Sequence, residues 1–111
     1  MNIEVIKQKE DNNEGKYVHL YFNEEIGMYT AYGLSAYLVT YVVDPILSYS
    51  VALQMPVALL KREHIETCRR SLAKRKHEIH QYYLFEMANC LPKDENYERW
   101  EIVLKNKLRK H

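Results

Sequence analysis

Hydrophobic and polar positions divide the 111-residue chain into alternating strand-like and helix-like segments. Residues 16–22 (KYVHLYF) are rich in β-branched and aromatic side chains and predict a first strand. Residues 26–43 carry no charge, and their apolar and tyrosine positions recur at helical spacing, so they predict a buried helix. The pair Asp44-Pro45 would end that helix, because the residue before a proline is disfavoured in helical conformation.

The second half of the chain continues the alternation. Residues 46–53 (ILSYSVAL) predict a second strand, 61–74 an amphipathic helix, and 77–87 a third strand. A last helix begins near Asp94, with acids in its early turns and basic residues toward its end, as the helix dipole favours. The predicted fold is therefore α/β, a small mixed β-sheet packed with helices in the order β-α-β-α-β-α.

Composition fits one ordinary globular domain with a core of its own. We assign residues 16–111 to that domain and residues 1–15 to a polar N-terminal arm. The net charge is +1, so the chain as a whole has no strong electrostatic attraction to nucleic acid or anionic lipid. The charges are unevenly spread, however. Residues 61–78 hold seven Lys or Arg and three Glu, and they form the only organised basic block.

The uncharged run 26–43 is at the lower limit of length for a membrane-spanning helix. Its four tyrosines are spread through the run, whereas tyrosines of spanning helices gather at the two ends. We therefore interpret the run as core, and expect no association with a membrane. The two cysteines, Cys68 and Cys90, have no CxxC spacing and follow no signal peptide, which favours a reduced, cytoplasmic protein.

The sequence offers little for catalysis or for a cofactor. Its three glycines cannot form a phosphate-binding or dinucleotide-binding loop. His77 and His80 resemble part of a zinc motif, but on a strand they would point to opposite faces. His64 and Cys68 could meet on one helix face, yet Cys68 lies on the apolar side, where a buried thiol is common. We therefore predict a protein that is not an enzyme and that needs no cofactor.

Four stretches between residues 17 and 83 are similar to segments of one known domain, in the same order. They are 27–36 (GMYTAYGLSA, like G-D-F-Y-E-x-F-x-x-D-A), 43–48 (VDPILS, like L-D-I-x-L-T), 55–58 (MPVA, like I-P-x-A) and 65–72 (IETCRRSL, like V-E-x-Y-x-x-x-L). That domain is the N-terminal mismatch-recognition domain of the MutS family of DNA mismatch-repair proteins, which the chain resembles as a free-standing, divergent relative.

The resemblance implies a DNA contact near the start of the uncharged run. In the family, the Phe of F-Y-E wedges beside a mismatched base and the Glu hydrogen-bonds to that base. Met28 and Thr30, on either side of Tyr29, stand at the equivalent positions. Methionine can act as an apolar wedge between base steps, but threonine offers a base only a hydroxyl. The resemblance therefore implies a DNA-associated module in which mismatch reading is lost.

Two functions follow as hypotheses. The first is a non-catalytic nucleic-acid-associated module, with DNA as partner. Its predicted site comprises Met28, Tyr29, Thr30, Arg62, Arg69, Arg70, Lys74, Arg75 and Lys76. This hypothesis requires the basic side chains to share a surface with Met28, and that surface to be uninterrupted by acids. The second is a small protein–protein interaction or regulatory domain without nucleic-acid binding, which predicts a protein partner, a homodimer or an apolar patch around the tyrosine-rich helix.

Overall fold

The computed structural model describes residues 3–79 and 82–109, without the side chains of 73–79 and 109. The described chain forms four helices and six strands. In chain order they are α1 (Ile3–Asp11), β1 (Tyr17–Asn23), β2 (Met28–Tyr32), α2 (Gly33–Val39), β3 (Ile46–Ser50), β4 (Met55–Leu60), α3 (Arg62–Ser71), β5 (Ala73–Ile79), β6 (Tyr82–Glu86) and α4 (Glu95–Arg109). The predicted α/β class is confirmed, since helices pack with a β-sheet.

The strands form one six-stranded sheet in the order β3-β4-β2-β1-β6-β5. Every pairing between the described strands is antiparallel. The predicted mixed sheet and the order β-α-β-α-β-α are therefore wrong. Three pairs of consecutive strands, β1–β2, β3–β4 and β5–β6, are antiparallel neighbours, and such pairs need no crossover helix between them.

The uncharged run 26–43 is half strand and half helix, not one helix as predicted. Gly27 N–H donates to the Asn23 carbonyl at 2.9 Å, and β2 then pairs with β1. Aromatic and β-branched residues make β2 a suitable strand. Gly33, with φ at 56°, redirects the chain into α2. A Cβ there would lie 3.2 Å from Met55 Sδ, so both the backbone angle and the space favour glycine.

Two further boundaries differ from the sequence-based expectation. The helix predicted over 61–74 ends at Ser71, and β5 begins two residues later. The single strand predicted over 77–87 corresponds to parts of β5 and β6, with residues 80–81 outside the described chain. The predicted polar arm forms helix α1 over most of its length. Its Ile6 and Glu10 are buried, so α1 is part of the packed domain.

The sheet is covered on both faces. On one face, called here the main face, Val18, Leu20, Ala58 and Phe85 pack with apolar residues of α2, α3 and α4. On the other, called the α1 face, Ile6 of α1 packs with Tyr21, Leu53 and Met55. Within residues 3–79 and 82–109, no helix has the length and apolar character needed to cross a membrane.

Candidate nucleic-acid interface

Tyr29 lies in an aromatic group at the end of the β1–β2 hairpin. It pairs with Phe22 across the two strands, and the ring centroids of the two residues are 5.0 Å apart. On the other side, the centroid of Tyr83 from β6 is 5.4 Å from that of Tyr29. All three rings are partly exposed. The hairpin register therefore gathers three aromatic side chains from three adjacent strands on the main face.

Helix α3 adds cationic side chains to this group. Arg69 places its guanidinium carbon 5.3 Å from the Tyr83 ring centroid, and its Nη2 donates to Tyr83 Oη at 2.9 Å. Arg62 lies seven residues earlier, about two turns away on the same side of α3. We call Phe22, Tyr29, Tyr83, Arg62 and Arg69 the arginine–tyrosine cluster.

Electrostatics link both arginines to Tyr29. Burial is the largest effect on the Tyr29 hydroxyl, and together with the hydrogen bond to Tyr83 it raises the pKa above the ordinary value. The charges of Arg62 and Arg69 oppose that rise, which means that both guanidinium groups act on the same hydroxyl. Tyr29 is consequently a neutral phenol near pH 7. Half-exposed rings beside planar guanidinium groups are the chemistry that stacks on bases and binds phosphate.

A carboxylate lies beside the cluster. Glu66 Oε1 is 3.2 Å from Arg69 Nη1, so the arginine is shared between this carboxylate and the Tyr83 hydroxyl. Both partners of the ion pair are substantially exposed, and such pairs contribute little stability. The requirement that the basic surface be uninterrupted by acids is therefore not met.

Met28 does not join the cluster, contrary to the predicted grouping. Met28 is the first residue of β2 and pairs with Asn23, the last residue of β1. Side chains alternate along a strand, so Met28 lies on the α1 face while Tyr29 lies on the main face. The helix predicted for this stretch would have spread residues 28–30 around one axis. The observed strand separates Met28 from the basic side chains instead.

Thr30 is also misassigned by the sequence-based site. Only 2% of its surface is exposed, and its Oγ1 donates to the Tyr21 carbonyl at 3.1 Å. The hydroxyl is therefore used inside the sheet. The expected contact between Thr30 and a base is not available in this structure.

The basic block itself is divided between two elements. Arg70 is exposed on α3, and its Nη2 donates to Thr67 Oγ1 at 3.4 Å. Lys74, Arg75 and Lys76 belong to β5, not to the helix, and their side chains lie outside the described part of the structure. In the backbone register, Lys74 stands opposite Phe85 and Arg75 opposite Leu84. The strand that carries these three residues is thus the neighbour of the strand that carries Tyr83.

A buried polar group, which was not predicted from the sequence, lies between α1 and α2. Glu10 accepts hydrogen bonds from Ser35 N–H at 2.9 Å and from Ser35 Oγ at 2.7 Å. It thereby caps the first turn of α2, whose N-cap residue Tyr32 provides no side-chain cap. Burial raises the pKa of Glu10 to about 7, although the hydrogen bonds from Ser35 oppose the rise. Its spacing from Ile6 is the signal that would have placed Glu10 on the buried side of a helix.

A second buried ionisable group, His19 of β1, lies on the α1 face of the sheet. His19 Nδ1 is 2.6 Å from Tyr82 Oη. Burial, followed by the charge of Lys9, lowers the pKa of His19 to about 4, so the imidazole is neutral near pH 7. The Lys9 ammonium lies 4.3 Å from the Tyr82 ring centroid, at the side of a cleft of about 790 Å³. Tyr82 thus contacts both His19 within the sheet and Lys9 of α1, and the Lys9 contact joins α1 to the sheet.

Cys68 packs in the core, as predicted. It is fully buried, and burial raises the pKa of its thiol to about 11. His64 Nδ1 accepts a hydrogen bond from Lys61 N–H at 2.9 Å. His77 and His80, considered above as metal ligands, have side chains outside the described structure.

Comparison of the chain with models of protein families, with curated proteins and with solved structures finds no match.

Proposed function

We propose that this chain is a non-catalytic module that binds nucleic acid through the arginine–tyrosine cluster. The observation that carries the proposal is the contact of the Tyr29 ring with the Tyr83 ring, and of Tyr83 in turn with the guanidinium group of Arg69. Tyr29 corresponds, through the resemblance, to the tyrosine of the F-Y-E run in the MutS domain. The proposal thus draws support from the sequence and from the geometry at the same residue.

The chemistry of the cluster favours unstacked or single-stranded nucleic acid over a mismatched duplex. Each base has a π-face that stacks on an aromatic ring, and arginine adds a cation–π contact and a phosphate ligand. Mismatch reading would need a wedge and a base contact beside Tyr29. Met28 lies on the other face of the sheet, and the Thr30 hydroxyl is already bonded.

Charge supports the same surface. Residues 61–78 carry seven basic and three acidic side chains, a balance of 7 − 3 = +4, while the whole chain has +1. The remainder of the chain therefore has 1 − 4 = −3. This asymmetry would orient the α3 and β5 side of the molecule toward a polyanion as it approaches.

Fluorescence anisotropy with single-stranded, matched and mismatched DNA at about 50 and about 200 mM salt tests the proposal, since phosphate contacts make affinity salt-dependent. We expect salt-sensitive binding with preference for the single strand. Replacing Arg62 and Arg69 together by Ala should weaken binding about tenfold or more, because two phosphate contacts are lost. Tyr29→Ala should cost about 1–3 kcal/mol of binding free energy through lost stacking.

Arg99→Ala is the matched control. Arg99 is exposed on α4 and is paired only with exposed Glu95, at 3.6 Å, in the described contacts. Its loss changes net charge by the same unit as each cluster substitution, and binding should be nearly unchanged. Absence of binding at the lower salt, or an equal loss in Arg99→Ala, contradicts the proposal.

A protein-interaction domain is the second candidate, but not in the form predicted from the sequence. Helix α2, the tyrosine-rich helix, is buried at all seven of its residues, so it forms no surface patch. Among the described helices, the exposed large apolar side chains lie on α1 and α4. They are Ile3, Val5, Ile102 and Val103. A chain that fails to bind any of the three DNA probes would favour this second function.

A further inference from the structure

The two edges of the sheet differ in their protection against pairing with another strand. Strand β5, at one edge, has the sequence AKRKHEI, and its register with β6 is irregular between Arg75 and Glu78. Charged residues and bulges are the means by which proteins block a sheet edge. Strand β3, at the other edge, has the sequence ILSYS, with no charge and a regular register with β4. Of the two edges, β3 is the one open to a further strand.

Apolar side chains surround the β3 edge in both layers of the domain. Ile46, at the start of the strand, is 50% exposed, and Val51 directly after the strand is also exposed. Ile46 lies on the α1 face of the sheet. On the main face, helix α4 lies over β3, and the Lys105 ammonium is 5.7 Å from the Tyr49 ring centroid. Ile102 is on the same side of α4 as Lys105, one turn earlier, and is 59% exposed. A strand added at β3 would cover apolar surface above and below the sheet.

We propose that this edge is a homodimer interface in which β3 pairs antiparallel with β3 of a second copy of the chain. Antiparallel pairing of a strand with itself has two-fold symmetry, so it forms a closed dimer. Pairing centred on Ser48 sets Ile46 opposite the partner's Ser50 and Leu47 opposite the partner's Tyr49. In this register, side chains that stand opposite each other across the new junction lie on the same face of the sheet.

The charges favour a second copy at β3 over the other self-association available to the sheet. Two β5 edges would bring Lys74, Arg75 and Lys76 of one copy against the same residues of the other, which is repulsive. A contact between β3 and β5 would be heterologous, giving rings or open filaments instead of a two-fold dimer, and would meet the irregular register of β5. The uncharged β3 pairs with itself without repulsion. The inference does not depend on the proposed nucleic-acid function.

Sedimentation equilibrium of the full chain, without DNA, tests the interface over a wide range of concentration. We expect the apparent mass to rise from 13.3 kDa toward twice that value. Combined Ile46→Lys and Ser48→Lys substitutions place like charges across the junction and should give a monomer at every concentration. Val103→Lys is the control, since Val103 is exposed on α4 and lies about 200° around the helix axis from Lys105. This variant should dimerise as the wild type does.

Hydrogen exchange of the wild-type protein gives a second measurement that needs no variant. Backbone amides of β3 should exchange more slowly at high protein concentration, whereas those of β5 should be unaffected. A wild-type chain that stays monomeric at all concentrations overturns the proposal. So does a dimer that persists in the folded double-lysine variant, or a dimer whose formation leaves exchange in β3 unchanged.

Discussion

The two faces of the sheet are both buried, but by different kinds of side chain. The main face is apolar: Val18, Leu20 and Phe85 are fully buried against residues of three helices. The α1 face holds a smaller apolar cluster together with Glu10 and His19, which are buried near tyrosine rings. Stability should therefore depend mainly on packed volume at the main face, and on protonation as well as packing at the α1 face.

This difference also separates the possible functions of the two faces. Glu10 and His19 have partners within the domain, at Ser35 and Tyr82 respectively. The arginine–tyrosine cluster lies at the rim of the main face, where the rings of Tyr29 and Tyr83 are partly exposed. Glu10 thus joins α1 to α2, and His19 is bonded within the sheet, while the exposed cluster is available to a ligand.

The largest expected effect is the loss of stability when a buried side chain of equal size is truncated to alanine on each face. Leu20→Ala on the main face and Ile6→Ala on the α1 face remove the same number of carbon atoms from buried sites. Leu or Ile to Ala substitutions in cores cost about 2–5 kcal/mol. We expect about 4 kcal/mol for Leu20→Ala, in the centre of the larger core, and about 2 kcal/mol for Ile6→Ala, where α1 can readjust. Urea denaturation measures both values, and equal losses would contradict the distinction between the faces.

The next effect is the pH dependence of stability, which we expect from Glu10 and His19 on the α1 face. Glu10, with its pKa raised to about 7, favours the neutral carboxyl in the folded state, so its contribution to stability falls as pH rises from about 4.5 to about 7. His19, with its pKa lowered to about 4, favours the neutral imidazole, so its contribution falls as pH drops from about 6.5 to about 4. Glu10 and His19 therefore make the free energy of unfolding change with pH in opposite directions over most of the same range. In the wild type the two changes should nearly cancel.

Single substitutions should therefore reveal each slope. Glu10→Gln leaves the His19 effect, and the free energy of unfolding should rise by about 3 kcal/mol between pH 4 and pH 6.5. His19→Gln leaves the Glu10 effect, and the free energy should fall by about 3 kcal/mol between pH 4.5 and pH 7. The measurement is urea denaturation across this pH range. Two variants that retain the slope of the wild type would show that these groups are not the cause.

The sequence predicted those elements whose signals are local. The first strand was expected at 16–22 and is Tyr17–Asn23; the second was expected at 46–53 and begins at Ile46. A helix was expected from Asp94, and α4 starts at the next residue. In each case turn residues or charges mark the boundary. The α1 helix was missed because it is short and polar, and because its burial depends on the distant partner Ser35.

The uncharged run could not be divided from the sequence, for a physical reason. Where no polar side chain marks an exposed face, periods of 2 and 3.6 residues cannot be distinguished. That error carried into the site, because Met28 and Tyr29 would be about 100° apart around a helix but lie on opposite faces of β2. The contact of Tyr29 with Tyr83 joins residues far apart in the chain, and no local pattern contains it.

The smallest effect concerns a single hydroxyl on the α1 face. Tyr21 is 6% exposed, and its Oη has no hydrogen-bond partner among the described residues. Its ring contacts Tyr32 and Tyr82, with centroid distances of 5.9 and 5.3 Å. A buried donor without a partner costs about 1–3 kcal/mol, and phenylalanine would keep the ring contacts while removing that cost. Tyr21→Phe should therefore raise the free energy of unfolding by about 1 kcal/mol.

Tyr83→Phe is the matched control on the main face, because it removes a hydroxyl that accepts from Arg69 at 2.9 Å. Since that contact is exposed, its loss should lower stability by about 0.5 kcal/mol or less. The two variants should thus shift the urea midpoint in opposite directions. A Tyr21→Phe protein that is less stable than the wild type would mean that the hydroxyl has a partner in solution, such as a buried water. The Tyr21 hydroxyl would then carry no penalty, and the lower stability expected of the α1 face would come from its smaller apolar core and from its buried ionisable groups.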